Sequence, residues 1–373
     1  MSTKYEVWIL HPATGEPLAL IDHQEGLQYA KRTNGVGAFT LRLPASFDRS
    51  MAQKDGRLVV WREPEGGKKS IDFAGLIRYW KPEYVEHRHI LTLQGPDYND
   101  VLRKAIIPYH AGTTYAQKYE EADDLQKALV RENLGALATD SDRDLVTPGY
   151  ISVAADVSAG TVVWQQCAWK YLLSVLQEVS AKSMETASTG VFFGMVPLNR
   201  GFDMEFRTNI QQWGEDHRHP NGAHGARIFA LERGNISEAS LETDAREEAT
   251  FAYVTGQGEE DNCLVLEVSD DTRIGESPLN RRETLVDARN EAYISRMGDA
   301  GRARLQDLRP RRSMRFGIVE TPTSRYGVDW GFGDYVTGSF EGEQYDLHVA
   351  AVQVTLEGQK EMIASQLEYM GAV

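Results

Sequence analysis

The sequence predicts a β-rich α+β protein. Short runs of alternating or β-branched residues fill both ends of the chain, and Gly, Pro and Asn residues that favour turns separate these runs. Apolar residues recur at helical spacing in residues 161–180 and 281–308, which adds helices to the strands. A chain of 373 residues is too long to form one simple hydrophobic core, so we expect roughly two to four domains.

The first hundred residues predict an antiparallel barrel or sandwich. The predicted strands are the runs YEVWIL, LQYAKR, AFTLRL, RLVVWRE, IDFAGLIRYW and HILTLQ. Gly66 and Gly67 lie between the fourth run and the fifth, where they supply the positive φ of a hairpin turn. After the last run, Asp97 predicts the N-cap of a short helix that carries Val101 and Leu102.

The middle of the chain predicts mixed structure. A helix over residues 161–180 would place Trp164, Leu172 and Val179 on one apolar stripe, with Cys167 as a buried thiol beside it. Strand patterns then return in VFFGMVPL, FDMEFRTNI, RIFALE, ATFAYVTG and CLVLEVS.

The last part of the chain predicts one long helix and further strands. The helix would run from about Arg281 to Leu308 and stop before Pro310, because proline cannot continue a helix. The strands after it are RFGIVE, DYVTGSF, YDLHVAAVQVTLE and EMIASQLEY.

Composition excludes several classes of protein. Forty Lys and Arg residues against 55 Asp and Glu residues give a net charge of -15, which is the wrong sign for a uniformly basic nucleic-acid binder. Cys167 and Cys263 show no metal-binding spacing, so we expect a reduced cytoplasm during folding and no disulfide framework. We also expect no secretion signal and no membrane segment, since no apolar stretch is long enough.

The segment GEDHRHPNGAHG, residues 214–225, holds the best candidates for metal binding. Its side chains of the type that zinc accepts are Glu215, Asp216, His217, His219 and His224. Their spacing matches no H-E-x-x-H motif, and the proline and glycines turn the chain. We therefore predict an exposed polar turn, with metal binding by the three histidines as the alternative. The sequence supports no catalytic residue, no metal ligand and no cofactor.

Residues 281–315 hold ten arginines interleaved with five acidic residues. Arginine suits bidentate pairing with carboxylates, so we predict an ion-pair face between subunits. A local nucleic-acid patch is the alternative.

Six segments carry a resemblance to a known family. They are YEVWILHPATGEPLALID, VGAFTLRLP, FAGLIRYW, LTLQGPDYNDVLRKAI, NRRETLVDARNEAYISRMGDAGRARLQDLRP and DWGFGDYVTG. In that order they resemble the baseplate or tail-tip hub proteins, a kind of minor tail protein, of long-tailed bacteriophages. The resemblance spans most of the chain and is weakest between about residues 105 and 200. None of the segments is a catalytic signature, so the resemblance depends on their order.

The resemblance implies two tube-type antiparallel β-barrels per chain, each with an inserted domain, and assembly as a homotrimer. The first barrel would comprise residues 1–105 and the mixed, partly helical insertion residues 106–190. The second barrel would comprise residues 191–245 and 311–373, interrupted by a strand-plus-helix insertion at 246–310.

The resemblance also implies a structural, non-enzymatic virion protein at the tail tip or baseplate, synthesised in the host cytoplasm. Such a hub joins the tail tube to the tip and forms part of the DNA ejection channel. Its expected partners are two further copies of itself, a distal tail protein on the tube side and a tip or spike protein. DNA would pass without specific binding, and we expect acidic residues in the lumen to repel its phosphates.

Two functions of other classes stay open. The first is a metal-dependent cell-wall hydrolase of the tail tip, whose ligands would be His217, His219 and His224. Family members often carry such activity in an appended domain, for which we expect no room before Val373. The second is a host-surface carbohydrate-binding module, whose stacking platforms would be Trp61, Trp80, Trp213 and Trp330.

Overall fold

The computed structural model describes residues 3–369 apart from 86, 109–115, 188–189, 221, 259–262, 290, 292 and 359. Strands outnumber helices throughout, so the predicted β-rich α+β class is confirmed. None of the helices in these ranges combines the length and the hydropathy needed to cross a membrane.

Eight described strands precede the first α-helix, and a mixed region follows them. The strands are β1 (Lys4–Leu10), β2 (Pro17–Ile21), β3 (Gly26–Arg32), β4 (Ala38–Pro44), β5 (Arg57–Glu63), β6 (Ser70–Leu76), β7 (Tyr79–Val85) and β8 (Arg88–Pro96). The mixed region contains α1 (Asp100–Lys104), β9 (Ile106–Ile107), β10 (Ala116–Glu121), α2 (Ala122–Leu134), β11 (Ile151–Val153), β12 (Val162–Cys167), β13 (Lys170–Tyr171), α3 (Leu172–Ala187), β14 (Val191–Pro197) and β15 (Met204–Ile210).

Strands also dominate the last part of the chain. Its elements are β16 (Ile228–Ala230), β17 (Ile236–Asp244), β18 (Phe251–Thr255), β19 (Val265–Ser269), α4 (Asp271–Ile274), β20 (Glu283–Asp287), α5 (Ile294–Asp307), β21 (Arg311–Ile318), β22 (Tyr335–Phe340), β23 (Glu343–Glu357) and β24 (Lys360–Tyr369).

One large sheet organises the molecule. Its strands follow the path β17-β21-β24-β23-β3-β4-β8-β7, and β22 and β16 branch from β23. The pairing of β3 with β23 joins the two ends of the chain in one sheet, with Ala30 opposite Gln353. No ring of paired strands closes on itself in the described part of the chain, so the prediction of two closed barrels is not confirmed.

Three hydrophobic clusters form the core. The first lies between the large sheet and the sheet β2-β1-β5-β6, and includes Ile9, Leu41, Val60 and Val354. The second packs α2 and α3 against β12, β14 and β15. The third packs α5 against the sheet β19-β18-β20, with Met297 at its centre.

Strands β14 and β15 lie with the mixed region. They pair with each other, β15 pairs with β11, and their buried residues Phe193 and Phe206 belong to the second cluster. The predicted second barrel, which begins at residue 191, includes these strands. The predicted domain boundaries therefore stay a proposal, with residues 191–210 placed differently by packing.

Both predicted long helices begin later than expected. The stripe of α3 is confirmed from Leu172 onward, but Trp164 lies in β12, where it pairs with Tyr119 of β10. Likewise α5 begins at Ile294, because residues 283–287 form β20 and pair in parallel with β18. Apolar spacing alone does not separate a strand from a helix where a partner strand is distant in sequence.

Two local predictions near the first sheet have different outcomes. The hairpin between β5 and β6 is confirmed, and Gly66 adopts a φ of +78° in its turn. The short helix α1 is present, but its N-cap residue is Asn99 and not Asp97. The Asp97 carboxylate instead accepts hydrogen bonds from the backbone N–H groups of Gly37 and Asn99.

His348 on β23 gives the fold a pH dependence. Its buried ring packs against Phe192 and Tyr335 at centroid distances of 4.8 and 5.4 Å. Its Nε2 atom has no hydrogen-bond partner among the described residues. Burial lowers the pKa of His348 to about 4, so the folded state favours the neutral ring.

We expect His348→Phe to remove this dependence. A histidine with a lowered folded pKa contributes stability that is complete above the unfolded value and is lost as pH falls toward 4. The native chain should therefore lose about 3 kcal/mol relative to the variant between pH 7.5 and pH 4. Urea unfolding at several pH values measures this difference, and parallel pH curves for the two proteins would contradict it.

Candidate assembly interface

The eight-strand path has one buried face and one polar face. Along β3, Leu27 and Tyr29 are buried in the first cluster, whereas Gln28 between them is exposed. The same alternation is present along β4, along β23 from Ala351 onward and along β24, as expected for a sheet with one face on the core. The uncharged residues of the polar face carry mainly amides, hydroxyls and methyl groups: Gln28, Ala30, Thr40, Gln94, Ala351, Gln353, Thr355, Ala364 and Gln366.

The polar face carries charges of both signs. Its described basic side chains are Arg32, Arg42, Lys81, Arg88 and Lys360. Its described acidic side chains are Glu83, Glu238, Glu242, Asp244, Glu357 and Glu368. The two sets nearly balance, so the acidic excess of the chain is not concentrated on this face.

Strands β7 and β17 form the two ends of the path. Each pairs on one side only, β7 with β8 and β17 with β21, and no further strand covers its other side within the ranges described above. Pro82 lies in the middle of β7, and a proline without an N–H group is typical of an edge strand. Unpaired edges of this kind are sites where another chain can add.

The path consists of two units with the same strand order. The first unit is β3-β4-β8-β7 and the second is β17-β21-β24-β23. In each unit the first strand pairs with the second, the second with the fourth, and the fourth with the third through a hairpin. The pairing of β23 with β3 joins the units head to tail.

A largely buried acid, whose side chain is 13% exposed, lies below this junction. The Asp72 carboxylate on β6 accepts hydrogen bonds from Tyr29 at 2.5 Å and Tyr326 at 2.9 Å, and it lies 2.5 Å from the ammonium of Lys31. Burial alone would raise the pKa of Asp72, but Lys31 and the hydrogen bonds outweigh it and hold that pKa below its ordinary value. The carboxylate is thus ionised and ties β6 to β3.

Arg62 on β5 links the same sheet to the second unit. Its Nε atom lies 2.8 Å from Oε1 of Glu361 on β24, and its Nη1 atom donates to the Tyr326 carbonyl at 2.7 Å. The guanidinium also lies over the Tyr326 ring, 4.7 Å from its centroid. Only 2% of Arg62 is exposed, so these partners replace nearly all of its water. The two buried clusters fix the β5–β6 hairpin beneath the junction.

The histidine segment folds back on itself near β22. His217 is buried, its Nδ1 atom faces the carbonyl oxygens of His224 and Gly225, and its Nε2 atom lies 3.5 Å from Glu215 and 3.6 Å from Asp334. The two carbonyl oxygens can accept a hydrogen bond from Nδ1, and Nε2 faces the two carboxylates.

The three candidate histidines do not converge. His224 lies 3.7 Å from Glu215, beside His217, whereas His219 is exposed and its backbone N–H donates to Thr337. No group of three or more His, Cys, Asp or Glu side chains is arranged to hold a metal ion in the described ranges. The exposed turn is present at His219 and His224, but His217 faces inward.

The four candidate tryptophans do not form a sugar-binding platform. Trp330 is buried against Phe229 and Tyr326 in the first cluster. Trp80 donates from Nε1 to the Ala52 carbonyl at 2.5 Å and packs on the same cluster. The other two, Trp61 and Trp213, are half-buried and lie on different parts of the molecule.

The arginine-rich segment pairs largely within the chain. Arg281, Arg289, Arg302 and Arg304 each bind a carboxylate two or three residues away. Arg309 binds Asp270 at 3.0 Å. All of these partners lie in the same chain, so the described contacts of these arginines do not require a second subunit.

Sequence reasoning missed the two edge strands. The run ISEASLETD of β17 alternates too weakly to stand out, and Pro82 interrupts the pattern of β7. The proline itself was the available signal, because proline inside a strand pattern indicates an edge.

Comparisons with known proteins agree with this architecture. The tail protein of 43 kDa from prophage MuSo2 of Shewanella oneidensis superposes with a TM-score of 0.60 at 12% identity, covering 98% of each chain. A tail protein from Neisseria meningitidis gives a TM-score of 0.59 at 14% identity, covering 98% of this chain and 96% of the other. The prophage tail protein gp18 from Listeria monocytogenes gives 0.51 at 11% identity, covering 97% and 94%. At these identities the likeness establishes a shared fold.

A family assignment comes from the sequence itself. No curated protein sequence matches the chain. The family model described as Siphovirus ReqiPepy6 Gp37-like protein matches residues 6–365, which is nearly the whole chain. The predicted membership of a family from long-tailed bacteriophages is thereby confirmed. The chain belongs to the Siphovirus ReqiPepy6 Gp37-like protein family, and its fold is that of phage tail proteins.

Proposed function

We propose that this protein is a structural hub of the phage tail tip that assembles as a homotrimer. One observation carries the proposal: each chain holds two units of identical strand order in head-to-tail series, and in the described part of the chain each end strand has one unpaired edge. Three such chains would bring six similar units into one ring. A ring of this kind is sixfold toward a tail tube and threefold toward a tip.

The polar face of the large sheet would line the central channel. The other face of the sheet cannot line the channel, because it is buried against the first cluster. Amide and hydroxyl side chains with balanced charges offer DNA neither a basic path to bind nor a strong barrier to cross. DNA would thus slide past the hub during ejection without specific binding.

The remaining segments would serve partners. We assign tube-type domains to residues 1–105 and to 211–245 with 311–373, leaving insertions at 106–210 and 246–310. The hub would contact a distal tail protein on the tube side and a tip or spike protein on the other. It would be synthesised in the host cytoplasm and act in the virion as a protein without catalytic activity.

One preparation tests this proposal against its rivals. Light scattering should give the mass of three chains of 41.8 kDa each, and the same peak should hold no stoichiometric zinc. A metal-dependent hydrolase would instead bind zinc near His217 and His224 and lose it on His217→Ala substitution. A monomer at all concentrations would contradict the hub. Binding of the purified protein to host-wall glycans would support the carbohydrate-binding module.

A further inference from the structure

The two units of the large sheet can be aligned residue by residue, and this alignment is the basis for inferring how two chains contact each other. The β7–β8 hairpin ends with the pair Val85 and Arg88, and the β23–β24 hairpin ends with Glu357 and Lys360. Val85 and Glu357 thus occupy equivalent positions. Lys81 lies four residues before Val85 and Gln353 four residues before Glu357, so Lys81 in β7 is equivalent to Gln353 in β23.

Backbone hydrogen bonds further back support this alignment. Ile77, just before β7, donates to the Gly56 carbonyl and accepts from the N–H group of Asp55. Val349 in β23 does the same with Asp334 and Gly333. Both strands also carry an irregularity at the next residue, where Arg78 and Ala350 interrupt the register. The two strands are therefore equivalent residue by residue.

The opposite edges align in the same way. Gln94 of β8 lies opposite Thr40, which lies opposite Gln28 of β3. The equivalent positions in the second unit run from Gln366 of β24 through β21 to Ser240 of β17. Two residues further along, Ala30 of β3 is equivalent to Glu242 of β17.

We propose that β7 of one chain pairs antiparallel with β17 of a second copy, with Lys81 opposite Glu242. This register copies the junction inside each chain, where Gln353 lies opposite Ala30. It rests on the proposed trimer, and it adds the partner strand and the residue pairs to it. Tyr79 then lies opposite Asp244, and Glu83 opposite Ser240.

Charge favours this register over its neighbours. A shift by two residues in one direction places Glu83 opposite Glu238, and a shift in the other direction places Glu83 opposite Glu242. Like charges directly opposite destabilise a strand pair, and shifts by one residue would exchange the two faces. Lys81 already binds Glu83 of its own chain at 2.7 Å. Only the proposed register places a further carboxylate opposite Lys81 without also placing one directly opposite Glu83.

The backbone hydrogen bonds of β7 and β17 also fit this register, although the pair has one hydrogen bond fewer than β23 and β3 have inside the chain. Thr33 donates to the Ala350 carbonyl, which identifies Val354 as a hydrogen-bonded position and Gln353 as a non-hydrogen-bonded one. Pro82 takes the place of Val354 and donates nothing. Lys81 and Glu242 take non-hydrogen-bonded positions, where opposite Cα atoms lie about 4.5 Å apart and a disulfide can form.

Disulfide trapping tests the register. In a Cys263→Ser background, we would oxidise the double variant Lys81→Cys with Glu242→Cys and compare it with Lys81→Cys with Glu238→Cys. Glu238 lies on the same strand and face as Glu242 but about 13 Å away along it. Within one chain the two edges are about 34 Å apart across the sheet, so any disulfide must join two chains.

The expected result is covalent dimers and trimers in the first variant, at least tenfold more abundant than in the second. The mass of each reduced variant by light scattering separates the two possible failures. A trimer that cross-links equally in both variants, or only in the second, would overturn the register and leave the proposed function standing. Monomers without cross-links would overturn both.

Discussion

Replacing Arg62 with alanine is expected to lower the free energy of unfolding by about 3–5 kcal/mol, because it breaks a buried ion pair and leaves one partner behind. Glu361 would lose the guanidinium that lies 2.8 Å away, and the Tyr326 carbonyl would lose its donor. The Tyr326 ring would also lose the cation packed on its face. A shift of the urea midpoint at an unchanged m-value measures the effect.

Arg246→Ala is the matched control. Arg246 forms a similar bidentate pair with Asp244, but its side chain is 80% exposed. Exposed pairs contribute little because water already solvates both ions. We expect no measurable change in this variant at the same protein concentration. Equal midpoints for Arg62→Ala and Arg246→Ala would contradict the structural role of the buried cluster.

A proline at Thr243 should abolish the proposed trimer and spare the fold. Thr243 in β17 is equivalent to Lys31 in β3, which lies opposite Val352 at a hydrogen-bonded position of the internal junction. Its N–H group therefore points to the open edge, and proline would remove that donor and insert its ring there. We expect the mass to fall from three chains to one, with an unchanged circular dichroism spectrum.

Thr243→Ala separates the backbone effect from the side-chain effect. Alanine keeps the N–H group, so this variant should remain a trimer with the native mass. If Thr243→Pro also remained a trimer, the edge of β17 would not take part in assembly. If it unfolded, the assignment of that N–H group to the open edge would be wrong.

The sequence predicted the regular strands of the first sheet because alternation and turn residues act locally. The hairpin at Gly66 is an example, since positive φ favours glycine whatever the rest of the chain does. The residue at which α3 begins could not be predicted from such local patterns. Trp164 fits an apolar helical stripe equally well, and only the distant partner Tyr119 places it in a strand.

The candidate interface was even less accessible from sequence. Arg62 and Glu361 are separated by 299 positions, and no local sequence pattern indicates that their side chains are in contact. The repeat of the two units is visible in strand order and hydrogen bonds, but its equivalent residues share little chemistry, as Lys81 and Gln353 illustrate. The histidine segment suggested a metal site through its residue types alone. In the structure His217 is buried and His219 is exposed, so their side chains do not face a common point.

Electron microscopy of the purified particle tests whether the proposed ring forms. We expect a threefold particle with an open centre, in which the polar face with Gln28, Gln94 and Gln353 lines the opening. In that particle β7 of each chain would lie beside β17 of the next. A particle without a central opening, or a ring with this face on its outside, would contradict the proposed hub.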